Sequence, residues 1–210
     1  MSDARSYYEE YWGRPDPPPV GDPLTPRRLE IVLGFLRAAG ARRVLDVGAG
    51  TGDLVAALAA EGLEAVGMEL SAKAVEHASA RHPEHRFIRH SIEELPWPVE
   101  AESFDAVVSF EVIEHLLRPR SLFEGARTAL RPGGGLAAST PYHGFAKALA
   151  VAAFRFDEHF AVEGDHIRFF SDRALGRIAA DTGFEVETIH HLGRRWPLWA
   201  NSLLWARRRT

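Results

Sequence analysis

The sequence predicts a doubly wound α/β domain on a seven-stranded, mostly parallel sheet with an antiparallel last strand. Three observations predict it. Short apolar runs of strand length alternate with amphipathic runs of helix length, the pattern of repeated βαβ units. The first apolar run, Val44-Leu45-Asp46-Val47, ends in glycines at alternate positions, Gly48, Gly50 and Gly52. The last two apolar runs are joined by 193–200, too short for a crossover helix, so they are expected to pair antiparallel.

The elements follow in order. Residues 1–14 are rich in aromatics (Tyr7, Tyr8, Tyr11, Trp12) and fit a short helix. A proline-rich connector, 15–26, excludes regular helix or central strand. Thr25 or Pro26 opens an amphipathic helix with Leu29, Val32, Leu33 and Leu36 on one face and Gly40 as its stop. Strands are expected at 43–48, 65–69, 86–90, 106–110, 135–140, 186–191 and 203–207, and helices at 54–61, 72–81, 121–130 and 172–181. Residues 141–170 form a long insertion ahead of the last of these helices. The whole chain, 1–210, reads as one domain, with 1–26 as an N-terminal cap and 141–170 as an active-site lid.

Composition narrows the function classes. A net charge of -4 gives no electrostatic argument for nucleic acid. With no cysteine there is neither a disulfide framework nor a thiolate zinc site. No apolar run is long enough to span a bilayer, and the acidic first ten residues do not read as a signal peptide. The expectation is a cytoplasmic protein with a small-molecule substrate. Oligomeric state is left open.

The glycine run carries the chemistry. Glycine lets the backbone turn sharply and lets a ligand approach without a Cβ in the way. Glu69 ends the second apolar run about twenty residues on, where an acid can bind both ribose hydroxyls. These features describe a nucleoside site at the carboxyl edge of a parallel sheet. The spacing G-x-G-x-G differs from the G-x-G-x-x-G of dinucleotide folds. It resembles motif I of the class I S-adenosylmethionine (SAM) methyltransferases, whose fold is Rossmann-like. Within that superfamily the chain is most similar to the O-methyltransferases of ubiquinone biosynthesis.

The resemblance implies a SAM site. Arg28, in Thr25-Pro26-Arg27-Arg28-Leu29-Glu30, matches the arginine that binds the SAM carboxylate, a role suited to a bidentate guanidinium. Gly48 matches the glycine beside the methionine part of SAM, Glu69 the ribose acid, and Val112 a residue lining the cofactor. Asp46, Gly50, Gly52, Leu70 and Phe110 complete the expected cofactor set. Ser91 stands where the family usually has an acid at adenine, with Ile92 to pack on the ring. Ser91 also reads as a helix N-cap, with Glu94 completing a capping box.

Glu111, Glu114 and His115 have i, i+3, i+4 spacing and would share one face if helical. Two carboxylates and an imidazole suit Mg²⁺ or another divalent cation. The ubiquinone family carries the same Glu-x-x-Glu-His pattern as its cation site, and small-RNA 3′-end methyltransferases add a distal histidine that His166 matches. His166 is thus a fourth ligand or a general base, and Glu111 and His115 are catalytic candidates with it. The competing reading, taken from metal-free enzymes with the same pattern, makes these residues active-site wall.

In the insertion, 145–156 is apolar. It is expected to pack on the core; the alternative is a substrate cap or a helix making peripheral contact with a membrane. Trp196, Trp199 and Trp205 can line a ring pocket, with core or hairpin packing expected for at least two. The expected activity is SAM-dependent O-methylation of a catechol-like ring or a sugar. N-methylation, RNA-end methylation and a non-catalytic SAM-binding protein are the alternatives.

Overall fold

A computed structural model describes residues 4–13, 22–156 and 166–210. The proline-rich stretch 14–21 and residues 157–165 of the expected lid lie outside these described residues. The elements are α1 (Ala4–Trp12), α2 (Thr25–Ala38), β1 (Arg43–Val47), α3 (Asp53–Ala60), β2 (Glu64–Glu69), α4 (Ala72–Arg81), β3 (Arg86–Arg89) and β4 (Phe104–Phe110). A single 3-10 turn (Ile113–His115) follows, then α5 (Arg120–Ala129), β5 (Leu130–Pro141), α6 (Phe145–Phe154), α7 (Asp172–Asp181), β6 (Phe184–Leu192) and β7 (Asn201–Arg208).

The seven strands form one sheet in the order β3-β2-β1-β4-β5-β7-β6. β7 enters between β5 and β6 and runs antiparallel to both, and the short 193–200 connection requires its antiparallel pairing with β6. The other pairings are parallel. Central strands β1, β2 and β4 are buried along most of their length, which explains their nearly unbroken apolar sequences.

Two cores flank the sheet. On one side Val32, Leu33 and Leu36 of α2 join Val55 and Leu58 of α3. On the other, Leu122, Phe123 and Ala126 of α5 join Leu175 and Ala179 of α7. Trp205 is buried in the first core, stacked on Phe35 at 4.9 Å. Trp199 stacks on His191 at 3.8 Å, while Trp196 is exposed. Two of the three tryptophans therefore pack in the hairpin region, as expected.

The sheet reverses its strand order between β1 and β4. In open α/β sheets ligands bind outside the carboxyl ends of the strands at such a switch point. The glycine turn after β1, Glu69 at the end of β2 and Phe110–Glu111 at the end of β4 all meet there.

Three expectations need correction. α6 forms, but none of its residues is buried, and Phe145 and Phe154 are 85% and 86% exposed. An apolar helix does not reveal from composition alone whether the fold covers it. No helix follows Ser91: its hydroxyl accepts the Glu93 amide in an irregular turn, so the helix N-cap reading falls. The segment 111–115 is not a continuous helix. Glu111 has φ 54, in the left-handed region, and only one 3-10 turn follows it. Its side chain therefore leaves the face used by Glu114 and His115.

Candidate active site

A cavity of about 290 Å³ opens at the switch point. Its floor is the glycine turn. Gly48 and Gly50 line it with φ of 85 and 51, a region that disfavours side chains. A Cβ on Gly48 would lie 2.4 Å from Val112 Cγ2, so the turn and the 110–112 segment approach as closely as glycine allows. The Gly48 and Ala49 amides donate to the Met68 carbonyl, which ties the turn to β2.

Glu69 also lines the cavity. Its Oε1 accepts from the Leu70 and Ser71 amides at 2.7 and 3.0 Å, and its Oε2 from the Gly50 amide at 3.1 Å. The carboxylate is thereby fixed in orientation at the cavity edge. Burial pushes its carboxyl above the ordinary range, against the pull of those three amides. Leu70, Ser91, Ile92, Phe110, Glu111, Val112 and His115 complete the expected residues on the cavity wall.

Three expected residues do not line it. Asp46 lies beneath, fully buried, and burial pushes its carboxyl up to about 8, with the charge of Glu69 adding to the effect. Gly52 takes φ 80 at the start of α3, with Phe87 packed where a Cβ would sit. Arg28 is 1% exposed. Its Nη2 donates to Asp22 Oδ2 at 2.6 Å and its Nε to Asn201 Oδ1 at 3.1 Å, and Glu111 Oε1 lies 3.3 Å from Nη2. The guanidinium reaches the cavity wall through Glu111 rather than directly.

The cavity also has a roof that the sequence reading did not assign to it: Arg5, Tyr8, Tyr11 and Trp12 of α1. The signal was present, since 8, 11 and 12 share one helical face.

At the other end of the site the acids separate. Glu111 Oε1 accepts from Ser139 Oγ and Asn201 Nδ2, both at 2.7 Å, and so belongs to the Arg28 network. Glu114 is 1% exposed, and neither carboxylate oxygen has a hydrogen-bond partner among the described residues. The adjacent buried Thr140 hydroxyl bears on the carboxylate without reaching hydrogen-bond geometry. Burial first, then the charge of Glu111, pushes the Glu114 carboxyl well above the usual range.

His166 is delivered to Glu114 by the backbone. The Ile167 and Arg168 amides both donate to the Glu114 carbonyl, at 3.1 and 3.0 Å. The His115 and His166 rings are then 5.0 Å apart. One ligand atom each from Glu114, His115 and His166 lie within 4.8 Å of one another, with Glu111 outside the group. A partnerless buried carboxylate beside two imidazoles is costly as an anion and fits a cation. His115 is shared with the cavity wall, so the cluster adjoins the cavity.

A family model described as a methyltransferase domain matches residues 20–189. The chain belongs to the methyltransferase-domain family. This methyltransferase is 31% identical to a ubiquinone biosynthesis O-methyltransferase of Chromobacterium violaceum over 81% of its own length and 75% of that protein. It is 30% identical to the protein of the same name from Xanthomonas axonopodis, over 91% of this chain and 81% of the other. Magnesium protoporphyrin IX methyltransferase from Synechocystis, solved with bound S-adenosylhomocysteine (SAH), shares the fold at a TM-score of 0.70 and 18% identity, covering 98% of each chain. The methyltransferase is SAM-dependent, and it is similar to the ubiquinone biosynthesis O-methyltransferases. Among the described residues no helix is long and apolar enough to cross a membrane.

Proposed function

We propose that the chain transfers the SAM methyl group to a hydroxyl of a small molecule, a catechol-like ring or a sugar diol, with a divalent cation at Glu114, His115 and His166. The observation that carries this reading is the buried, partnerless Glu114 carboxylate beside two imidazoles at the edge of the glycine-turn cavity. On this reading the cavity holds SAM. Glu69 takes the ribose, Ser91 and Ile92 meet adenine, and Gly48, Phe110 and Val112 flank the methionine part.

The reaction is an in-line displacement. The acceptor oxygen forms a bond to the methyl carbon as the carbon–sulfur bond breaks, and SAH leaves. The protein contributes alignment and exclusion of water. Glu114, His115 and His166 would hold a dication, which would supply positive charge that lowers the acceptor hydroxyl's pKa. His115, on the wall of both regions, sets the distance between acceptor and methyl group. Glu114, held as a carboxylate by a positive partner, fixes that partner's position. The hydroxyl proton passes to solvent water on the His166 side, where the cluster is exposed. Arg28 orients Glu111 and, through it, the β4 end of the cavity.

The exposed apolar surface of α6 supports an acceptor with an apolar part, presented at a lipid surface. Phe145, Leu149 and Phe154 are exposed, and Lys147, Arg155 and Arg194 surround the groove between α6 and 198–200. Such a surface suits anionic lipid.

Methyl transfer to a catechol, measured with and without exhaustive chelation, tests the proposal. The expected result is loss of turnover with SAH binding retained, reproduced by Glu114→Ala and His115→Ala. Full activity after chelation, with no bound metal by elemental analysis, removes the cation and leaves His115 and His166 as acid–base candidates.

A further inference from the structure

Helix α1 has nine residues, too few to be stable alone in water. The Glu9 side chain ties it to the start of α4 and to β3. Glu9 Oε1 accepts from the Ala72 amide at 2.7 Å and from Arg89 Nη2 at 3.1 Å. Glu9 Oε2 accepts from Ser71 Oγ at 3.0 Å and from the Lys73 amide at 3.2 Å. The carboxylate thus sits on the first turn of α4, where amides lack helical partners and the helix dipole favours an anion.

That turn is also where Glu69 is anchored. The four amides from 70 to 73 are divided between two acids, with Leu70 and Ser71 donating to Glu69, and Ala72 and Lys73 to Glu9. The underside of α1 roofs the cavity. Tyr8, Tyr11 and Trp12 line it, the Trp12 ring lies 3.5 Å from where a Gly50 Cβ would stand, and Tyr8 meets the His115 ring edge-on at 6.4 Å. Arg5 adds an exposed ion pair to Glu94 across the cavity mouth.

We infer that α1 is a lid on the cofactor and that Glu9 is its latch, a positioning residue that couples lid closure to ribose recognition through the 69–73 segment. This rests on the reading of the cavity as the SAM site. Ribose hydroxyls arriving at Glu69 act on the same backbone that Glu9 holds. Closure therefore favours the cofactor, and by linkage the cofactor favours closure to the same degree. With the latch released, the aromatic roof is lost and the cofactor leaves faster, while Glu114 and His166 keep their places and His115 loses its edge contact with Tyr8.

The test compares wild type, Glu9→Gln and Glu9→Ala by SAH titration, stopped-flow release of SAH and hydrogen exchange of α1. Glu9→Gln keeps one acceptor oxygen and the packing, and guards against a fold defect in Glu9→Ala. Losing a charged acceptor at a helix first turn is expected to weaken SAH about tenfold in Glu9→Ala, mainly through faster release, with Glu9→Gln between. The acceptor KM should change less than the SAH affinity, and SAH should protect α1 amides in wild type but not in Glu9→Ala. Unchanged SAH affinity and release, with α1 merely less protected, would overturn the latch and leave Glu9 as a packing contact. A wild type that does not bind SAH would overturn the cofactor reading itself, and the latch with it.

Discussion

Replacing Glu69 by alanine tests the cofactor geometry at one side chain. A carboxylate offers about four lone-pair sites. Three are taken by the amides of Gly50, Leu70 and Ser71, which leaves one on Oε2 facing the cavity. Ribose therefore gains one charge-assisted hydrogen bond outright and a second only by displacing or sharing an amide. A net bond of this kind contributes about 1.5–3 kcal/mol. Glu69→Ala should accordingly weaken SAH by about 1.5–3 kcal/mol, roughly 10- to 150-fold in Kd. Calorimetric titration with SAH measures this, alongside a melting curve showing that the variant is folded. Because burial holds the Glu69 carboxyl above its ordinary range, wild-type affinity should also decline on acidification earlier than an exposed carboxylate would give. A folded Glu69→Ala variant with unchanged SAH affinity would refute the assignment of ribose to this residue.

Other expectations follow from the same geometry. Gly50→Val places a branched side chain at φ 51 and about 3.5 Å from Trp12, so calorimetry should show no SAH binding in a folded variant. Asp46 has a folded-state pKa raised from 3.8 to about 8, so its stabilising contribution is full below the lower value and is lost progressively as pH rises to about 8. Asp46→Asn should therefore gain more melting temperature over wild type at pH 8 than at pH 5, and parallel curves would contradict this. Arg28→Met leaves Asp22 and Glu111 without their cation and should cost about 3–5 kcal/mol in urea unfolding. Sedimentation with phosphatidylglycerol vesicles should capture wild type and lose the Leu149→Asp, Phe154→Asp double variant; equal capture of both would remove α6 as the lipid-facing element.

The sheet was legible because its signals are local. Each buried strand reads as an apolar run, the glycine turn announces a close approach, and the short 193–200 connection leaves no crossover. The cavity wall was legible for the same reason, since Gly48, Glu69 and Val112 sit at strand ends. What escaped the sequence depends on contacts distant along the chain. Glu111 left the Glu114 face because Ser139 and Asn201 hold it at a left-handed backbone position. Arg28 turned out to be enclosed by Asp22 and Asn201, which no spacing reveals. Glu9 reaches α4 across more than sixty residues, and nothing in its own neighbourhood marks it as an anchor. The exposure of α6 was hidden by its composition, which suits a core equally well.

The most direct test of the central claim is a crystal structure with SAH and Mn²⁺. It should place the ribose on Glu69, the sulfur toward His115, and anomalous density between Glu114, His115 and His166. SAH outside the glycine-turn cavity, or with its sulfur directed away from that cluster, would contradict the account.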